Sequence, residues 1–122
     1  MDNAESAEMY LETIYILSKQ SEKVRKTDVS KYMNFAKPSI TRGIGLLEKK
    51  GLVTVDGAGG ITLTAEGKKL AKRIYERHTI LTDLFIRLGV DEKTAADDAC
   101  RIEHYISDTT FSAIKKHLAE KG

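Results

Sequence analysis

The stretch TDVSKYMNFAKPSITRGIGLLEKKG, residues 27–51, predicts the fold of the N-terminal half. Its apolar residues recur at helical spacing in two groups, and the link Asn34-Phe35-Ala36 separates these groups. The second group opens with Pro38, where a missing N–H does no harm, and ends at Gly51, a favourable left-handed cap. Two short helices joined by so tight a turn are typical of a helix-turn-helix.

The segments on either side complete a larger motif. Downstream, residues 52–55 and 61–63 read as two strands around a Gly-rich turn, and a hairpin in this place is the wing of a winged helix. Upstream, we expect an amphipathic helix from Ser6, its N-cap, to about Gln20. A short charged loop over residues 21–26 should follow it.

Helices are predicted throughout the C-terminal half. Their expected bounds are Thr64 to about Leu88, Asp91 to about Ile106, and Ser107 or Asp108 onward. The fold class is therefore mainly α, with an N-terminal winged helix-turn-helix and a two-strand wing followed by a helical dimerisation segment. We place the first domain at residues 1–70 and the second at 71–122. The last two helices carry apolar faces that one small domain cannot easily bury, which predicts a homodimer.

The charge distribution separates the middle of the chain from its ends. Residues 23–77 hold thirteen Lys or Arg against five Asp or Glu, although the whole chain has a net charge of only +2. A basic middle predicts an anionic partner. Because no apolar run could span a membrane, residues 1–6 do not resemble a secretory signal, and Cys100 has no disulfide partner, we expect a cytoplasmic protein.

The solvent face of the second helix of the helix-turn-helix predicts binding to a double-stranded DNA operator. The major groove admits one helix, and Arg42 can donate two parallel hydrogen bonds to a guanine edge. The residues expected to contact DNA are Lys26, Thr27, Lys37, Pro38, Ser39, Thr41 and Arg42. Gly43 and Gly45 are unexpected inside a helix: they permit close approach to DNA or to a neighbouring helix, or they mark a locally weak helix.

A second group of residues indicates a metal site. Cys100, Glu103 and His104 fall at positions i, i+3 and i+4 of one predicted helix, so a thiolate, a carboxylate and an imidazole should share a face. A buried cysteine beside an ion-paired Glu–His pair fits this spacing equally well. His78 is a further candidate ligand. On the first helix Met9 and Glu12 share a face, although Met9 alone would be assigned to the core.

Three separated segments resemble the diphtheria toxin repressor family, which includes iron-dependent repressors and shorter manganese transport regulators. They are SAEMYLETIY at 6–15, KPSITR at 37–42 and DACRIEH at 98–104. The resemblance covers almost the whole chain in the right order. It implies a homodimer in which metal binding ties the first helix to the dimerisation helices and so sets the two DNA-binding heads at operator spacing.

The resemblance also implies a ligand set. Met9, Cys100, Glu103 and His104 fall where iron-type repressors place their activating site, whereas manganese-type members have Asp and Glu in place of the first two. The softer pair favours Fe(II), with Mn(II) next. Glu12 and His78 match residues that complete a two-metal cluster in manganese-type members. Thr82 and Ala96 replace ancillary-site ligands of the iron type, and no SH3-like domain is expected because the sequence stops at Gly122.

The predicted function is a metal-dependent transcription repressor that controls iron or manganese homeostasis genes. The alternative is a metal-independent winged-helix regulator that responds to an organic ligand or to oxidation of Cys100. A winged helix that binds protein instead of DNA is a third possibility. We do not expect an enzyme, because no nucleophile–base pair has suitable spacing and residues 56–60 lack the lysine of a phosphate-binding loop.

Overall fold

The computed structural model describes residues 3–121, with side chains from Ala7 to Lys121. The helices in this part of the chain are α1 (Asn3–Gln20), α2 (Lys26–Met33), α3 (Lys37–Lys49), α4 (Ala65–Arg87), α5 (Glu92–Ile102) and α6 (Asp108–Lys121). The strands are β1 (Val24–Arg25), β2 (Val53–Val55) and β3 (Gly60–Leu63). The chain divides into two compact units, Met1–Lys72 and Arg73–Gly122. None of the described helices has the length and hydropathy that a membrane span requires.

The first unit is built on the packing of α1, α2 and α3 against one another. The fully buried side chains at this contact are Leu11, Ile14, Val29, Ile40, Ile44 and Leu47. Those of α3 follow one another at intervals of four and three, which places them on a single face of the helix. Between α2 and α3, Asn34 adopts the left-handed conformation with φ 57° and ends α2. These features confirm the predicted helix-turn-helix.

Two predictions for the segment ahead of α2 were wrong. α1 begins at Asn3 instead of Ser6, because Ala4 and Glu5 are good helix formers that extend the helix upstream. The segment 21–26 also contains a strand that we did not predict. In β1, Val24 is 1% exposed and pairs with Ile61. The burial of this apolar side chain stabilises the strand, although charged residues flank it in the sequence.

The wing is consequently a three-stranded antiparallel sheet of order β1-β3-β2. The predicted hairpin supplies β2 and β3, in which Thr54 lies opposite Thr62. Its turn is closed by the carboxylate of Asp56, which accepts hydrogen bonds from the N–H groups of Ala58 at 2.9 Å and Gly60 at 2.8 Å. These two backbone hydrogen bonds lower the pKa of Asp56 below its ordinary value.

The predicted starts of the later helices are confirmed by their caps. Thr64 Oγ1 accepts a hydrogen bond from the N–H of Gly67 at 3.1 Å, ahead of α4. Asp91 accepts from Thr94 at 3.0 Å ahead of α5, and Ser107 from Thr110 at 3.1 Å ahead of α6. Each of these bonds satisfies an amide that has no partner within its helix.

α5 is shorter than predicted. The helix ends at Ile102, and residues 103–105 form a turn instead of continuing to Ile106. The N–H of Tyr105 already bonds three residues back, to the carbonyl of Ile102 at 2.9 Å. The carbonyls of Glu103 and Ile106 accept hydrogen bonds from a side chain of α4, so these two groups keep partners where the chain leaves the helix.

Candidate nucleic-acid interface and metal centre

The solvent face of α3 carries most of the predicted DNA contacts. Lys37, Pro38, Thr41 and Arg42 are exposed, and Ser39 is half-buried. At the start of α2, Thr27 is exposed and Lys26 is half-buried. The opposite face of α3 lies in the core, so this arrangement leaves the polar side free to enter a groove.

The exposed basic side chains around α3 extend this surface. They are Arg25 on β1, Lys31 on α2, and Lys49 and Lys50 at the end of α3. Such residues neutralise phosphates and hold a helix in register without reading sequence themselves. The first unit therefore presents the exposed face of α3 with basic side chains around it.

A close contact fixes α1 against α3. The hydroxyl of Tyr10 donates to the carbonyl oxygen of Ser39 at 3.2 Å, and its ring packs edge-on against Phe35 with centroids 6.2 Å apart. A Cβ on Gly43 would lie 2.6 Å from Cζ of Tyr10, whereas one on Gly45 would have nothing within 4 Å. Gly43 thus permits the approach of a neighbouring helix, which was one of the explanations left open.

The hydroxyl of Tyr10 can donate in this contact only while it is protonated. Burial raises the pKa of Tyr10, and the nearby positive charge of Arg42 offsets part of that rise. The contact between α1 and the first turn of α3 is therefore unaffected by pH in the physiological range.

The second unit contains a buried carboxylate among predicted ligands. The side chain of Glu103 is 0% exposed, and its Oε2 lies 2.9 Å from Nδ1 of His78. Its Oε1 lies 3.4 Å from Nε2 of His104, whose side chain is 1% exposed. Within the described residues Glu103 Oε1 accepts no hydrogen bond. A buried carboxylate oxygen with an open lone pair is costly unless a cation neutralises it.

Cys100 is positioned differently from its two predicted partners. It lies in the last turn of α5 as a half-buried free thiol, while Glu103 and His104 belong to the turn that follows. Among the described residues, the donor atoms of these three do not form a group with every separation under 4.8 Å. The structure thus brings His78, Glu103 and His104 together by direct contacts, with Glu103 and His104 just past the end of α5, and the ligand triplet with Cys100 stays a prediction.

The first unit holds the remaining two candidate ligands, both on α1. Met9 is half-buried, and Glu12 is 8% exposed one turn later. A carboxylate and a thioether on one helix face provide one hard and one soft donor.

Arg77 of α4 was missed by the sequence interpretation. Its guanidinium donates to the carbonyl oxygens of Glu103 at 3.1 Å and Ile106 at 2.6 Å, and also to the carboxylate of Asp108. The signal was its place on the apolar stripe of α4, three residues after buried Ile74. An arginine at a core position must find polar partners there.

Two family models match consecutive parts of the chain. The model described as the N-terminal DNA-binding domain of iron-dependent repressors matches residues 2–61. The one described as their metal-binding and dimerisation domain matches residues 64–120. The chain belongs to the iron-dependent repressor family. This confirms the predicted resemblance and the winged helix followed by a helical segment.

Curated relatives support the family membership over nearly the full chain. An HTH-type transcriptional regulator of Methanocaldococcus jannaschii is 37% identical over 114 residues, covering 92% of this chain and 91% of the relative. The HTH-type transcriptional regulator MntR of Lysinibacillus sphaericus is 33% identical over 109 residues, covering 89% and 78% respectively. Both names describe regulators of transcription, and neither describes an enzyme.

Solved structures show the same fold. A manganese-dependent transcriptional repressor in complex with manganese superimposes with a TM-score of 0.84 at 27% identity, over 93% of this chain and 52% of that one. The manganese regulator SloR gives a TM-score of 0.82 at 28% identity, over 93% and 53%. The chain therefore spans about half the length of these two solved relatives.

Proposed function

We propose that this protein is a dimeric DNA-binding repressor that a divalent metal ion activates. The observation that carries the proposal is the buried carboxylate of Glu103, whose Oε1 accepts no hydrogen bond from the described residues and faces an imidazole 3.4 Å away. It lies in the part of the chain that matches a metal-binding and dimerisation domain. We assign residues 1–70 to DNA binding and residues 71–122 to metal binding and dimerisation, in the cytoplasm.

The DNA contacts follow from the exposed face of α3. Arg42 is exposed there and suits a guanine edge, because its guanidinium can donate two parallel hydrogen bonds. The other proposed contacts, to phosphates and neighbouring bases, are Lys26, Thr27, Lys37, Pro38, Ser39 and Thr41. The basic side chains around the helix would supply the part of the affinity that depends on salt.

The donor set of the chain fits a divalent transition metal. We assign Cys100, Glu103 and His104 as ligands, together with Met9, and Glu12 and His78 as the residues that complete or extend the site. The metal supplies a concentrated positive charge that neutralises the buried carboxylate. His78 orients that carboxylate through the 2.9 Å contact with Oε2, as residues around metal ligands commonly do.

Fe(II) is our preferred metal and Mn(II) the next. A thiolate and a thioether are soft ligands, which disfavour Mn(II) more than Fe(II). The relatives named for manganese make Mn(II) the strongest competitor. Iron or manganese homeostasis genes are therefore the proposed targets.

A homodimer would cover the apolar side chains that the second unit exposes. Leu88 is 71% exposed, Tyr105 65%, Ile86 40% and Ile102 39%. We propose that these side chains contribute to one contiguous patch, because large apolar patches mark interaction surfaces. Two copies of the helix-turn-helix would then read the two half-sites of an operator.

The switch follows from the distribution of the ligands along the chain. Met9 and Glu12 precede the helix-turn-helix, whereas the other proposed ligands follow it. A metal ion bound to both sets favours the conformation in which they meet. It can shift the population only by its difference in affinity between the two conformations.

The test is anaerobic fluorescence anisotropy with a labelled promoter fragment from the protein's own gene neighbourhood. The protein is titrated at fixed salt without metal and then with Fe(II), Mn(II) or Zn(II), as wild type and as Cys100→Ala. We expect metal-dependent binding in the wild type, half-saturated at a lower concentration of Fe(II) than of Mn(II). Cys100→Ala should lose that dependence.

His117→Ala is the matched control, since His117 is exposed on α6 and is not among the proposed ligands. It should respond to metal as the wild type does. DNA binding that ignores metal in every variant would favour the metal-independent regulator. Absence of DNA binding under all conditions would favour a winged helix that binds protein.

A further inference from the structure

We propose that Arg77 is a positioning residue for the metal centre, holding the turn from Glu103 to Ile106 so that Glu103 and His104 present their donor atoms to the ion. This inference rests on the proposed function. It assigns a role to a residue that is not itself a ligand.

The contacts of Arg77 are concentrated on that turn. Nη1 donates to the carbonyl oxygens of Glu103 at 3.1 Å and Ile106 at 2.6 Å, while Nη2 donates to Asp108 at the start of α6. The guanidinium carbon lies 5.4 Å from the centroid of the Phe111 ring, and the side chain is only 10% exposed. One buried planar group thereby connects the end of α5 to the beginning of α6.

This arrangement depends on the fork of a guanidinium. Because α5 ends at Ile102, the carbonyls that follow have no continuing helix to bind them. Arginine offers five donors spread over a fixed plane, whereas a lysine ammonium carries its three donors on a single nitrogen. A lysine at position 77 would keep the charge but could not reproduce all three contacts.

Residue 103 is held twice by consecutive residues of α4. Arg77 binds its main-chain carbonyl, and His78 lies 2.9 Å from its side-chain Oε2. The contact with Arg77 fixes the position of the main chain at Glu103, and the contact with His78 fixes the orientation of its carboxylate. His104 is the next residue, so the same main-chain anchor sets its position.

The charge of Arg77 gives the inference a testable sign. A guanidinium repels a nearby divalent cation, so removing the charge alone should strengthen metal binding. Loss of positioning should weaken it. Arg73 provides a matched control, because it also pairs with Asp108 but is 55% exposed and carries no hydrogen bond to the turn.

The experiment measures binding of Mn(II) to the full chain without DNA, from the electron paramagnetic resonance signal of free aqueous Mn(II). We expect Arg77→Lys and Arg77→Gln each to weaken binding by about 10- to 100-fold, the range found when residues around metal ligands are replaced. Arg73→Gln should bind as the wild type does or slightly more tightly. Wild-type affinity in both position-77 variants would overturn the inference.

Two further variants separate positioning from general destabilisation. Ile74→Val destabilises the core of α4 one turn away and should leave Mn(II) affinity unchanged in the folded protein. Asp108→Asn removes the negative charge of one partner of Arg77 but keeps an acceptor oxygen, and it is the milder variant should the substitutions at position 77 prevent folding. It should weaken binding by a smaller factor. Equal losses in Ile74→Val and Arg77→Lys would refute positioning. Failure of the wild type to bind Fe(II) or Mn(II) would instead refute the proposed function.

Discussion

The contact between Gly43 and Tyr10 permits a quantitative test of how α1 and α3 are packed. Replacing Gly43 by alanine adds one methyl group in the middle of α3. Its Cβ would stand 2.6 Å from Cζ and 2.7 Å from Cδ2 of the Tyr10 ring. Carbon atoms in contact prefer separations of roughly 3.5–4.0 Å, so the ring or the helix must move by about 1 Å.

Two contributions of opposite sign determine the change in the free energy of unfolding. Overpacking of a well-packed contact costs about 1–3 kcal/mol, and the ring cannot shift without loosening the hydroxyl bond to Ser39. Alanine in a helix interior gains about 1 kcal/mol over glycine. Gly43→Ala should therefore range from nearly neutral to about 2 kcal/mol less stable.

Gly45→Ala is the control, since it makes the same chemical change two residues later with nothing within 4 Å of the new methyl. It should be about 1 kcal/mol more stable than the wild type. The difference between the two variants, about 1–3 kcal/mol, isolates the clash because helix propensity cancels.

Urea unfolding followed by far-ultraviolet circular dichroism measures these differences at one protein concentration, which matters for a protein that dimerises. The double variant Tyr10→Ala/Gly43→Ala removes the ring and should show a favourable coupling. If Gly43→Ala and Gly45→Ala were equally stabilised, the packing argument would be refuted.

Two other substitutions test the DNA-binding unit. Arg42→Ala should weaken operator binding by about 1–3 kcal/mol, or roughly 5- to 150-fold, and relax specificity at one base pair. Fluorescence anisotropy measures both effects. The control Arg87→Ala removes an exposed arginine paired with Asp83 and should leave operator binding unchanged. Asp56→Ala should destabilise the protein at neutral pH, because the folded pKa of Asp56 is lowered and its contribution is present above the ordinary value of 3.8. That difference from the wild type should vanish as pH falls below 3.8 through the folded value.

Local signals were sufficient for most of the first unit. Pro38 at the start of α3, the left-handed Gly51 after it and the buried stripe between them are properties of neighbouring residues, which periodicity detects. β1 was missed because a two-residue strand has no periodicity. What stabilises it is Ile61, more than thirty residues away, and that pairing is not visible in the sequence.

The same distinction applies to the candidate metal centre. The sequence singled out Glu103, His104 and His78, which the structure joins by direct contacts. It did not reveal that α5 ends at Ile102, because that end depends on donors from Arg77 on another helix. Helix periodicity reports on the residues of a single helix, whereas the end of α5 depends on contacts between two helices.

The pairing of β1 with β3 has a mechanical consequence for the DNA-binding unit. Val24 and Arg25 pair with Ile61 and Gly60, so the chain from residue 24 to residue 61, which contains α2, α3 and β2, forms a closed loop. Moving β3 away from the start of α2 would require breaking the β1–β3 pairing, so this pairing couples the wing to the helix-turn-helix. We therefore expect a signal that reaches this unit to displace it as one body.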